Sequence, residues 1–185
     1  NAGGVCTREM RTRLGMARSV VASLAGLWKD RSLSKKMKLR LLQALVWPVA
    51  TYGCESWTLK AADRKRIIGF EMTAYRRMLR ISWRDFRTYQ SILEELDIQR
   101  RLLPEIQCRK LRYFGHVVRA DHLGTFRLHG RIDGVRGRGR PRRRWIDDIK
   151  EWTGLSVAEC VRRAHDRATW SSTVSLFRSA IDPQQ

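Results

Sequence analysis

Apolar residues recur along this chain at spacings of three and four, and the recurrence predicts helices over most of its length. Met10, Leu14, Ala17, Val21, Leu24 and Trp28 alternate steps of four and three, one apolar stripe on a helix, with Arg8, Arg11, Arg13 and Arg18 largely off it. Ser34 is placed to cap a second helix whose first turns hold Lys35, Lys36, Lys38 and Arg40. Pro48, which has no N–H to donate, is expected to end or kink that helix, and Tyr52-Gly53 begins a turn. A third helix is predicted from about Lys60 to Leu79, its inward positions being Ile67, Ala74, Met78 and Ile68, Met72, Tyr75, Leu79. Thr88 caps a short helix containing Ile92 and Leu93. A longer helix follows from Leu102 to Arg119, apolar at Ile106, Tyr113, Phe114, Val117 and Val118.

Helical period is lost over residues 120–144 and returns at Trp145, where Trp145, Ile149 and Trp152 share a face and Gly154 supplies a C-cap. Ser156 and Asp166 are placed to cap two further helices, the last carrying Trp170, Val174, Phe177 and Ile181 on one side. Only Phe126 to Ile132 hints at a period of two. The expected fold is therefore all-α: a helical domain over residues 1–119, an Arg/Gly-rich basic linker over 120–144 and a small helical unit over 145–185.

Composition allows a packed core. Hydrophobic residues make up 43% of 185, with seven tryptophans, which is not the make-up of a disordered tail. Cys6, Cys54, Cys108 and Cys160 lie too far apart for a zinc ribbon or knuckle, and reduced, buried thiols are expected. The longest apolar run, Leu41 to Tyr52, is interrupted by Gln43 and Pro48 and is too short to span a bilayer. With no secretory signal in view, an intracellular location is expected, nucleus or cytoplasm, with no membrane partner.

Charge changes the picture most. The net charge is +20, and a compact chain that far from neutrality calls for a polyanion. Residues 1–60 hold 11 basic against 3 acidic residues, 61–105 hold 10 against 7, 106–144 hold 12 against 2, and 145–185 hold 5 against 6. The stretch Arg136-Gly-Arg-Gly-Arg-Pro-Arg-Arg-Arg144 carries six arginines in nine residues, Arg136, Arg138, Arg140, Arg142, Arg143 and Arg144. Gly137, Gly139 and Pro141 keep it from folding early, and guanidinium forks make paired bonds to phosphate. A solvated loop or a localisation signal would use the same residues. Lys35, Lys36, Lys38 and Arg40 oppose the dipole at a helix start, so with Arg11 and Arg18 they form a second expected nucleic-acid surface.

Two acidic runs resemble catalytic signatures, and neither is expected to act as one. Trp145-Ile-Asp-Asp148 has the aromatic-x-Asp-Asp form with which polymerases hold two metals, but that form needs a hairpin and a third carboxylate. Here it opens a helix, where acids satisfy the dipole. Pro104-Glu105 with Asp148-Ile-Lys150 mimics a restriction-type nuclease, yet both halves fall on predicted helices rather than strands. His116 is expected to be packed and hydrogen-bonded, and His122, His129 and His165 have no nucleophilic partner that sequence can supply. No catalytic residue, metal, cofactor or small-molecule substrate is expected.

The order of several short motifs resembles one family. Cys6-Thr-Arg-Glu-Met-Arg-Thr-Arg-Leu-Gly-Met-Ala-Arg18 is similar to the segment after the palm of non-LTR (LINE-type) retrotransposon reverse transcriptases, RTE-like ones above all. Lys38-Leu-Arg-Leu-Leu42 through Tyr52-Gly-Cys-Glu-Ser-Trp-Thr-Leu59 looks like their thumb. Phe70-Glu-Met72, Arg76-Arg-Met-Leu79, Ile81-Ser-Trp-Arg84 and Leu111-Arg-Tyr-Phe-Gly-His-Val-Val118 continue it in order. So do Gly139-Arg-Pro-Arg142, Trp145-Ile-Asp-Asp-Ile149, Ala164-His-Asp-Arg167 and Trp170. The resemblance implies the thumb and tail of an RNA-directed DNA polymerase, cradling template–primer, with the polymerase aspartates upstream of Asn1. Expected partners are RNA, RNA–DNA hybrid or DNA, and the palm and fingers of the parent enzyme. A stand-alone nucleic-acid-binding protein derived from such an element, or a non-catalytic helical scaffold, remain alternatives.

Overall fold

Helices form where the apolar stripes lie, in a computed structural model that describes residues 2–98, 101–120 and 143–181. No strand occurs among the described residues, and the fold is all-α. The stripe from Met10 to Trp28 is divided by a turn at Leu24 into α1 (Ala2–Ser23) and α2 (Ala25–Lys29). The Trp28 indole reaches back to donate to the Val21 carbonyl at 2.9 Å, which ties the two pieces together. Helix α3 (Lys35–Leu41) starts at Ser34, whose hydroxyl accepts from the Met37 N–H at 3.2 Å. It widens into a π-turn over Leu42–Val46 and resumes as α4 (Trp47–Ala50), with Pro48 in the first turn. The deformation expected at Pro48 thus lies upstream of it, and the proline itself sits where its missing N–H costs least.

The later elements are α5 (Ala61–Leu79), α6 (Tyr89–Leu96), α7 (Leu102–Arg119), α8 (Trp145–Thr153), α9 (Val157–His165) and α10 (Arg167–Ile181). Local capping sets their ends. Thr88 accepts from Ser91 N–H at 3.2 Å, Ser156 from Glu159 N–H at 3.2 Å, and Asp166 from Thr169 N–H at 3.0 Å. Helix α8 stops at Gly154, whose φ of 68° is the left-handed conformation that favours glycine.

Contacts divide the chain into two units. One comprises residues 7–53 and 61–103. Its core collects Met10, Leu14, Val21 and Trp28 with Leu42, Val46, Ile67, Phe70, Tyr75 and Met78. Trp47 meets Phe70 and Tyr75 edge-on, with centroids at 6.0 and 5.9 Å. A buried carboxylate organises the far end of this unit. Glu71 accepts from Tyr75 Oη at 3.0 Å and from the N–H groups of Arg101 and Leu102 at 2.8 and 3.0 Å, so it satisfies donors at the start of α7.

The other unit comprises residues 1–6, 54–60 and 104–185. Its core joins Leu111, Phe114 and Val118 of α7 to Ile146 and Ile149 of α8, Cys160 and Ala164 of α9, and Trp170 and Val174 of α10. Gly115 lets α7 and α10 approach. A Cβ there would lie 2.2 Å from Trp170 Cδ1, and the Trp170 indole donates to the Leu111 carbonyl at 2.8 Å. This division differs from the one expected over 1–119 and 145–185. The apolar face of α7 from residue 104 onward packs on the C-terminal helices, and periodicity does not say which helices a stripe will meet.

Candidate nucleic-acid interface

In the unit of residues 7–53 and 61–103, the predicted cations divide by role. Lys35, Lys36 and Arg40 line a cavity of about 450 Å³, closed on its other side by Glu95, Asp97 and Arg101. Lys35 Nζ pairs with Glu95 Oε1 at 2.8 Å, and Arg87 pairs with the same carboxylate, which holds Glu95 below the usual carboxylate range. Lys36 and Arg40 are exposed. Lys38 turns the other way and donates to the Trp28 carbonyl at 2.9 Å, capping the end of α2. Arg11 and Arg18 are exposed on α1, and Arg18 stands 5.9 Å from the centre of the Phe70 ring. Neither borders the cavity lined by Lys35, Lys36 and Arg40.

Of the arginine tract, Arg136, Arg138, Arg140 and Arg142 lie outside the described residues. Arg143 and Arg144 open α8. Arg144 is exposed, and its N–H donates to Asp147 Oδ2 at 2.7 Å. Arg143 is engaged inside the unit: its Nε donates to Asp148 Oδ1 at 2.7 Å, and it also pairs with Glu151.

Asp148 departs from the dipole role expected of the acidic pair, which Asp147 alone fills. Its side chain is fully buried and forms an ion pair with the equally buried Lys110 of α7. Asp148 Oδ2 also accepts from the Leu59 N–H at 2.9 Å, while Lys110 Nζ donates to the Trp57 carbonyl at 2.7 Å. The ammonium lies 4.6 and 5.4 Å from the ring centres of Trp145 and Trp152, where cation–π attraction adds to the pairing. The Trp145 indole donates to the Glu55 carbonyl at 2.8 Å. Residues 55–59 are thereby bound to α7 and α8 by side chains that sequence alone reads as surface charge.

Glu105 pairs with Arg109 one turn along α7, at 3.2 Å. No group of three or more His, Cys, Asp or Glu among the described residues is placed to hold a metal ion. His116 is exposed rather than packed, beside a cavity of about 410 Å³ lined also by Glu55, Arg109, Arg112 and Tyr113. His165 is exposed, and His122 and His129 lie outside the described residues. Cys54 is buried, and burial with Glu55 beside it pushes its thiol up to about 12, the opposite of an activated nucleophile.

Sequence reading missed the cations of the C-terminal helices, because residues 145–185 sum to nearly zero charge. The five described carboxylates there are all engaged within this unit. Asp147 serves the start of α8, Asp148 pairs with Lys110, Glu151 with Arg143, Glu159 with Arg163, and Asp166 serves α10. Arg167 and Arg178 remain exposed on α10. Their spacing of eleven residues, three helical turns, was the available signal.

No helix of the described residues is long and apolar enough to cross a membrane. The chain is 27% identical over 157 residues to an uncharacterized transposon-derived protein of Caenorhabditis elegans, an alignment covering 78% of this chain and 56% of that protein. The chain thus spans little more than half the length of that relative. No family model and no solved structure matches the chain.

Proposed function

We propose that this chain is the nucleic-acid-binding thumb and tail of a non-LTR retrotransposon reverse transcriptase, holding template–primer or RNA through backbone phosphates and carrying no active site of its own. The observation that carries the reading is the one-sided use of charge. Buried or paired carboxylates such as Asp63, Glu71, Asp148 and Glu95 are engaged within the fold, while cations including Arg11, Lys36, Arg40 and Arg144 face solvent. The chain's net charge of +20 is one that a polyanion can neutralise. The ordered motifs from Cys6 to Trp170 and the similarity to a transposon-derived protein support the retrotransposon origin. Partners on this reading are RNA, RNA–DNA hybrid or DNA, and the palm and fingers of the parent polymerase.

Fluorescence anisotropy with labelled RNA, hybrid and duplex DNA across a salt series tests the reading. Binding with a steep log–log salt dependence is expected, together with no metal-dependent primer extension and no strand cleavage. Absence of binding near physiological salt would leave a helical scaffold in its place, and primer extension by the pure chain would overturn the non-catalytic assignment.

A further inference from the structure

We infer that a groove between α7 and α10, which no part of the charged tract enters among the described residues, is a second binding site for one strand's phosphodiester backbone. The site rests on the reading of this chain as a nucleic-acid binder and places that binding on four arginines. Arg112 and Arg119 of α7 and Arg167 and Arg178 of α10 line a single cavity of about 450 Å³, and all four are exposed. Among the described residues no carboxylate lines it. Asp166, at the start of α10, accepts from the Thr169 hydroxyl and from the N–H groups of Thr169 and Ala168, which hold it below the usual carboxylate range.

The geometry suits a repeating anion. Arg167, Ser171, Ser175 and Arg178 follow one face of α10 at steps of four, four and three, and Ser179 continues it. At 1.5 Å per residue the arginines of α10 are about 16 Å apart and those of α7 about 10 Å along their helices, far enough to meet different phosphates of one strand. Serine hydroxyls between guanidinium groups are the neutral donors that phosphate oxygens accept. Arg119 is pre-positioned by donating to the Ala164 carbonyl at 2.8 Å.

The floor argues against an acidic protein as occupant. Trp170 and Val174, the apolar side chains of the lining, are 2% and 4% exposed, so the groove offers charge and hydroxyls without an apolar anchor. Contacts made to the backbone carry no base information, so the site is expected to be indifferent to sequence.

The test uses the full chain and anisotropy with mixed-sequence single-stranded RNA, single-stranded DNA and duplex DNA over a salt series. R112Q/R167Q/R178Q is expected to flatten the log–log salt slope by about two to three, at roughly 0.7 to 0.9 for each phosphate no longer neutralised. S171E/S175E keeps every arginine, alters only exposed helix positions and is expected to weaken binding likewise, with S171A/S175A much milder. If the triple variant no longer melts cooperatively, S171E/S175E decides the matter by the same slope. Wild-type binding with an unchanged slope in S171E/S175E and in the folded triple variant overturns the groove while leaving the proposed function standing, and capture of an acidic protein by that face would then replace it. Failure of the wild-type chain to bind any of the three nucleic acids overturns both.

Discussion

Lys110 and Asp148, thirty-eight residues apart, form an ion pair in which both side chains are wholly excluded from solvent. A buried pair of this kind adds little over an apolar pair of the same shape, but breaking it strands a charge. Asp148→Asn is therefore expected to lower the unfolding free energy by about 3–5 kcal/mol. Lys110→Met combined with Asp148→Leu is expected to lose less than the two single changes added together. Urea denaturation of the five proteins, wild type, Asp148→Asn, Lys110→Met, Asp148→Leu and the double variant, checks both statements. A change within about 0.5 kcal/mol for Asp148→Asn would mean that the carboxylate does not hold Lys110.

The same pair sets a pH dependence. Burial pushes the Lys110 ammonium down from 10.5 to about 8, against the pull of Asp148, so the fold gives up this proton before the unfolded chain does. Between those values the unfolded state binds more protons, and this group's contribution to stability rises with pH. Cys54, which burial pushes from 9.0 up to about 12, acts in the opposite sense above 9. The stability of wild type minus that of Lys110→Met isolates the lysine, and the difference is expected to climb from pH 8 to 10.5. A flat or falling difference over that window would contradict the direction given for Lys110.

Features that depend on neighbouring residues were legible in the sequence, and features that depend on distant ones were not. Ser34, Thr88, Ser156 and Gly154 end helices through atoms within three or four residues, and α7 spans Leu102–Arg119 as its stripe predicts. Lys110 carries no local sign that its partners are Trp57 and Asp148. The two units divide within α7, between residues 103 and 104, where the stripe alone marks no boundary: an apolar face declares that it will be buried, not by what. Charge summed over a segment hid the convergence of Arg112, Arg119, Arg167 and Arg178, because it counts carboxylates that caps and ion pairs have already engaged.

Gly115 and Gly69 make a paired test of packing against propensity. Both are helical, and alanine is worth about 1 kcal/mol over glycine in a helix interior. At Gly69 a Cβ would meet nothing within 4 Å, so Gly69→Ala is expected to stabilise. At Gly115 it would fall 2.2 and 2.5 Å from Trp170 Cδ1 and Nε1. Gly115→Ala is expected to lose about 1–3 kcal/mol and to disturb the indole's bond to Leu111, visible in tryptophan fluorescence. Stabilisation by both changes would mean that α7 and α10 do not pack as described.

The basic start of α3 also separates into two roles. Lys38 caps α2 through the Trp28 carbonyl, whereas Lys36 and Arg40 are exposed on a cavity wall. Lys38→Gln is expected to lower thermal stability with little change in salt slope. K36Q/R40Q is expected to leave the melt unchanged and to reduce the slope by about one to two. The reverse pattern would show that Lys36 and Arg40 hold the fold and that this surface binds nothing.

The arginine tract gives the sharpest expectation for function. Arg143 is engaged with Asp148 and Glu151, so it stands apart from the other five. Arg143→Gln removes a partner of a buried carboxylate and is expected to reduce stability more than binding. Changing Arg136, Arg138, Arg140, Arg142 and Arg144 to glutamine is expected to flatten the log–log salt slope by about 3.5 to 4.5, at roughly 0.7 to 0.9 for each phosphate neutralised. Affinity is expected to fall by a similar factor on every sequence, since bonds to the backbone carry no base information. Helix content by circular dichroism is expected to hold, because Arg144 precedes α8 and Gly137, Gly139 and Pro141 among the other four disfavour helix. An unchanged slope would make the tract a solvated tether or an import signal. Loss confined to one sequence would show that these arginines read bases, and the phosphate clamp would have to be abandoned.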